Sequence, residues 1–246
     1  MNGEPPVLNG AADKAPPRSD LKLRVLSAAV MLFVAGGAFW FGGPVLDLFI
    51  ALVSFATLIE LMKLVELASE KPLVRIAGSF AGAAYVGAAT VSLIALPALL
   101  VAIVVGVVIC TDTGAYFAGR RFGRRKIAPA ISPSKTWEGL MGGMIAAGLF
   151  ASLTFGFMAL AVSALSSEKP DLPWGAMLAG AATGAMLAVA AQAGDFLESW
   201  LKRKAGVKDS GRIIPGHGGV FDRVDGLLPV AIIAGLAFLT YRITIS

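Results

Sequence analysis

Residues 95–113, ALPALLVAIVVGVVICTDT, decide the fold. No side chain before Asp112 carries a charge, and Leu, Ile, Val and Ala supply most of the stretch. A soluble helix of this length shows a polar face, whereas a lipid span needs about 20 apolar residues and none. Comparable blocks recur on both sides, at 23–42, 44–65, 76–93, 139–163, 174–194 and 226–244. Lipid offers no partner to backbone N–H and C=O groups, so each block must satisfy its own as a helix. The chain is expected to be all-α, a polytopic membrane helix bundle of about seven transmembrane helices. Gly42-Gly43-Pro44 turns the chain between the first two, and Pro97 breaks the third from the fourth.

Composition agrees. Hydrophobic residues make up 57% of the 246 and charged residues 15%, against about 25% charged in soluble domains. Mean hydropathy is +0.77. One cysteine, Cys110, excludes an intrachain disulfide and reads as a small buried hydrophobe. One histidine, His217, excludes a multi-histidine zinc site. Residues 1–20 hold four prolines and mixed charge, which predicts a disordered cytosolic tail and no cleavable signal. Residues 21–246 then form a single transmembrane catalytic domain.

Lys and Arg set the orientation. Seven spans with a cytosolic N-terminus put 19 of the 21 basic residues on the inner face, leaving out only Lys169 and Arg242. Loops 114–138 and 195–225 carry most of them, and the predicted location is a bacterial-type inner (cytoplasmic) membrane. The net charge of +5 is therefore topogenic and points to no nucleic acid. No internal repeat of the transporter kind is present.

The polar segment between the last two spans, 194–226, reads GDFLESWLKRKAGVKDSGRIIPGHGGVFDRVDG. If the sixth span continues as helix, Asp195, Glu198, Ser199 and Lys202 share one face. Asp222 and Asp225 lie three apart at the start of the last span. Two helix ends could thus aim three carboxylates at one point, hard oxygen ligands suited to Mg²⁺. Lys202, Arg203, Lys208, Arg212 and Arg223 add positive charge, and Pro215–Gly219 leaves backbone N–H groups open to phosphate oxygens. Carboxylates beside cations are the equipment of phosphoryl or nucleotidyl transfer. A second cluster runs from Asp112 to Gly139. Ser132-Pro133-Ser134 is expected to cap the fifth span and make an anion site, with Lys135 and Thr136 in reach of a nucleotide phosphate. Acids at membrane depth are usually functional, which singles out Asp112. Glu60 has two readings, function or a pair with Lys63 one turn on.

Ser199-x2-Lys202-Arg203-x4-Lys208-Asp209-x-Gly211-x2-Ile214-Pro215-x-His217-Gly218-Gly219-x2-Asp222-Arg223-x-Asp225 resembles the signature of phosphatidate cytidylyltransferases, the CDP-diacylglycerol synthases. Asp112-x2-Ala115-Tyr116-x2-Gly119-Arg120 and Ser132–Gly139 look like the same family's upstream block, save that Ser134 stands where a second lysine is expected. The resemblance covers about a quarter of the chain. It implies that CTP and phosphatidic acid, a membrane lipid, react to CDP-diacylglycerol and pyrophosphate with Mg²⁺, a second cation such as K⁺ and a homodimer being left open. It assigns Asp195, Asp222 and Asp225 to the metal, with Asp112 as a further ligand. Lys202, Arg203, Lys208, His217 and Arg223 would hold the pyrophosphate and lipid phosphate. Ser132, Lys135, Thr136, Ser199, Gly218 and Gly219 would bind substrate. The alternatives are a CTP- or ATP-dependent lipid-alcohol kinase and a non-catalytic membrane transporter.

Overall fold

A computed structural model describes residues 18–165 and 172–245. The expected tail, up to residue 17, and Lys169 lie outside the described residues. Seven helices there are long and apolar enough to cross a membrane, the number expected. They are α1 (Arg18–Phe41), α2 (Gly43–Ala68), α3 (Pro72–Ala95), α4 (Ala98–Phe122), α5 (Trp137–Leu165), α6 (Trp174–Ala205) and α8 (Leu227–Ile245). A hairpin of β1 (Lys126–Ala128) and β2 (Ser132–Thr136) precedes α5, and a single turn, α7 (Phe221–Val224), precedes α8.

Local chemistry sets the breaks. Gly42 and Gly43 turn at φ 58° and 46°, values that suit glycine, and Pro44 occupies the first turn of α2. Pro97 ends the extended link from Leu96 into α4, where it was expected. Gly206, at φ 68°, closes α6 with its N–H on the Arg203 carbonyl.

Small residues bring α4, α5 and α6 together, as close packing in lipid requires. A Cβ at Gly114 would lie 2.5 Å from the Gly142 carbonyl oxygen, and one at Gly180 would lie 2.6 Å from that of Ala151. On the other side α2, α3 and α8 bury Leu61, Leu64, Val86, Ala89 and Val230. Large apolar side chains such as Phe33, Trp40, Phe80 and Phe157 remain exposed, as a lipid-facing surface demands.

Three expectations need correction. First, Ser132–Thr136 is a strand and not a helix cap, paired with β1 through Ser132–Ala128 and Thr136–Lys126. Pro133 disfavours helical geometry at the residue before it, which keeps Ser132 extended. The cap falls to Thr136, whose Oγ1 accepts the Gly139 N–H at 3.1 Å. Second, helix intrudes on both expected loops. α4 continues to Phe122, and α6 runs eleven residues past its expected end at 194. At 1.5 Å per residue its 32 residues reach about 48 Å, well beyond a ~30 Å hydrocarbon layer. Third, Glu60 does not pair with Lys63, because Glu60 is buried while Lys63 is exposed.

Candidate active site

The overhang of α6 carries Asp195, Glu198 and Lys202, three and four residues apart and on one face, as expected. Lys202 Nζ lies 2.7 Å from Glu198 Oε2 and 2.8 Å from Asp222 Oδ1. One cation thus ties α6 to the turn α7.

Backbone amides fix Asp222 from its other side. Its Oδ2 accepts the N–H of Gly219 at 2.8 Å and of Ser210 at 3.0 Å. Burial raises the Asp222 pKa, but the side-chain hydrogen bonds with Glu198 and Lys202 and the Gly219 N–H outweigh it. The carboxyl is held well below the usual carboxylate range. Beneath it sits Glu60 of α2, 1% exposed. Glu60 Oε2 accepts from Ser210 Oγ at 2.9 Å and from the Phe221 N–H at 2.8 Å, while its Oε1 has no partner. Gly211 and Gly219 press so closely on this carboxylate that neither could carry a side chain without displacing it.

A polar cavity of ≈ 670 Å³ opens beside this framework. Asp112 of α4, Lys135 of β2, Asp195 of α6 and Asp222 and Asp225 around α7 all line it, with Arg223. Lys135 is ion-paired with Asp195. The Asp225 carboxyl is within hydrogen-bonding reach of Asp195 and accepts the Gly226 N–H at 2.8 Å. Burial first, and the Asp195 charge second, push Asp225 well above the usual carboxylate range. Gln192, 3% exposed, also lines the cavity, and its Nε2 has no partner.

Among the described residues no three Asp, Glu, His or Cys side chains stand close enough together to enclose a metal ion. The donors nevertheless fit Mg²⁺ in kind. Asp195 and Asp225 bring hard carboxylate oxygens together at the cavity wall, and Mg²⁺ needs one or two carboxylates when waters and phosphates complete its shell. Asp112 lines the same cavity. Asp222 is engaged by Lys202 and two amides, which leaves it less free to turn toward a cation.

The remaining candidates divide between two places. Lys208, His217, Gly218 and Arg223 border a neighbouring basic pocket with Arg24 and Arg212. His217 Nδ1 lies 2.8 Å from Ser27 Oγ of α1, and its carbonyl accepts from Arg223 Nη2 at 2.6 Å. Gly218, at φ 86°, takes the Ile214 N–H on its carbonyl, and Gly219 serves Asp222. Elsewhere, Arg203 is exposed and donates from Nε to the Ile131 carbonyl at 3.3 Å, bracing the hairpin. Ser132 is buried in β2, Thr136 lines the polar cavity, and Ser199 is half-buried beside Glu198.

Three participants were not assigned to the site from the sequence. Ser210 lies within the motif but has no charge to mark it. Glu60 stands out by its depth, but the local partner the sequence offers is Lys63, whereas Ser210 is 150 residues away. Gln192 carries no charge and sits in a span, so no signal marked it.

The profile of the Cytidylyltransferase family matches residues 80–241, about two thirds of the chain. Over 125 residues the chain is 45% identical to a phosphatidate cytidylyltransferase of Brucella melitensis, covering 51% of this chain and 41% of that one. A phosphatidate cytidylyltransferase of Haemophilus influenzae is 46% identical over 116 residues, covering 47% and 37%. One of Mycobacterium leprae is 39% identical over 127 residues, covering 52% and 36%. The chain thus spans about two fifths of the length of the curated relatives it matches.

Proposed function

This chain belongs to the cytidylyltransferase family, and on that premise we propose that it transfers a cytidylyl group from CTP to phosphatidic acid, yielding CDP-diacylglycerol and pyrophosphate. The observation that carries this reading is the polar cavity, where Asp195 and Asp225 meet while Lys135 and Arg223 line the same walls. An acidic pair beside cations suits a reaction between two phosphates, which need both a metal and charge neutralisation.

The lipid phosphate oxygen is anionic at neutral pH and attacks the α-phosphorus of CTP. The new P–O bond forms as the bond to the β-phosphate oxygen breaks, and pyrophosphate leaves with that electron pair. No proton moves, so no general base is required. Asp195 and Asp225 would hold Mg²⁺, and Asp112 lines the same cavity. Bound there, Mg²⁺ would neutralise charge on the reacting phosphates. Lys135 and Arg223 orient phosphate oxygens. Lys202 keeps Asp222, and through it the Gly218-Gly219 loop, in place. Lys208, Arg212 and His217 draw anions into the neighbouring basic pocket. The distribution of Lys and Arg supports a cytosolic N-terminus and a cytosolic active site in a bacterial-type cytoplasmic membrane.

The test is direct. Purified chain, phosphatidic acid and CTP labelled in the cytosine should give a labelled lipid and one pyrophosphate per lipid formed. Release of CDP without pyrophosphate would identify a kinase instead, and no turnover in the presence of Mg²⁺ would sink the reading.

A further inference from the structure

A second cavity, of ≈ 390 Å³, lies between α1 and the body of the bundle. Apart from Ser54, Thr57 and Arg223, its lining is entirely apolar. It follows α2 from Leu46 to Thr57, and eleven residues of helix rise about 16 Å, near the depth of one leaflet. α1 supplies the opposite wall with Met31, Ala35 and Phe39.

This slot does not end in isolation. Arg223 lines the slot, the polar cavity and the basic pocket alike. Its Nη2 is held by the His217 carbonyl at 2.6 Å, which leaves most of the five guanidinium N–H donors for another acceptor. His217 is itself braced against α1 through Ser27. A hydrocarbon-lined slot that meets a fixed guanidinium, which in turn borders the acidic pair, matches a molecule with one apolar tail and one anionic head.

We propose that the slot between α1 and α2 holds one acyl chain of the lipid substrate, with its phosphate on Arg223. The proposal rests on the cytidylyl-transfer reading and adds to it the place and orientation of the lipid. The apolar walls keep the chain in surroundings like those it leaves, so drawing it from the bilayer carries little solvation cost. The gain is alignment: a seated chain fixes the headgroup beside the nucleotide cavity.

Two measurements on the full chain in phosphatidylcholine nanodiscs decide the matter. In the first, phosphatidic acid with a diazirine near the end of one acyl chain is photolysed, and labelled peptides are mapped. Label should concentrate on 30–39 and 46–57, and excess unlabelled phosphatidic acid should suppress it. Equal labelling by a phosphatidylcholine probe, indifferent to that competitor, would mean bulk lipid only and would overturn the proposal. In the second, Ala35→Trp narrows the slot, with thermal unfolding checked against the parent. Its kcat/KM for dioleoyl phosphatidic acid should fall at least about tenfold further than for the dihexanoyl form. Equal losses for the two lipids would also overturn it. If the parent chain makes no CDP-diacylglycerol from either lipid, the reaction reading fails, and the photolabelling still decides where phosphatidic acid binds.

Discussion

At the residue scale the site is a set of acids given different tasks by their neighbours. Asp222 is saturated by Lys202 and two amides, whereas Asp225 faces Asp195. Asp225→Asn should lower turnover about a hundredfold or more while the purified protein keeps its melting temperature; near-normal turnover would remove Asp225 from the cation site. Because burial and Asp195 raise the Asp225 pKa, that carboxyl holds a proton more readily than an ordinary one, and Mg²⁺ competes with that proton. Raising the pH should therefore reduce the Mg²⁺ concentration needed for half-maximal activity, which a titration at several pH values would show. Glu60 is a different case, since it holds backbone rather than substrate. Glu60→Ala leaves the Phe221 N–H and the Ser210 hydroxyl without their acceptor, at about 1–3 kcal/mol for each buried donor. Glu60→Gln retains an oxygen, so in detergent its thermal unfolding should lie between those of the parent and Glu60→Ala. The acids of 194–226 could be found by spacing alone, because i, i+3 geometry is local. The partner of Glu60 could not, because it is made by tertiary packing.

At the element scale the spans were legible because the bilayer imposes one rule on each, a long apolar helix. Their ends were less so. Hydropathy falls at Asp195, yet Glu, Leu, Lys, Arg and Ala continue to favour helix, so α6 outruns its apolar stretch. The hairpin is hidden for the opposite reason. SPSKT has the composition of a helix start, and only its pairing with Lys126–Ala128 makes it a strand. That pairing delivers Lys135 to Asp195 and Thr136 to the first turn of α5. Thr136→Val should cost about 1 kcal/mol, the usual loss for a helix cap, read as a lower melting temperature.

At the scale of the whole molecule, two parts of the chain contribute unequally to recognition and equally to the site. The segment matching the family, 80–241, holds the cavity acids and cations. α1 and α2 lie outside it, yet Glu60 and Ser27 steady the loop from there, and both helices wall the apolar slot. α6 reaches about 48 Å along its axis. Its apolar portion is anchored in the hydrocarbon while Asp195, Glu198 and Lys202 ride on the remainder, so helix length sets the height of the chemistry above the membrane. The helix acts as a ruler against which bilayer thickness is read. A thicker bilayer draws the site toward the headgroups, and a thinner one lifts it away from them. Turnover in the proposed reaction, measured across bilayers of graded acyl length, should pass through a maximum, tying its rate to the thickness of the surrounding membrane.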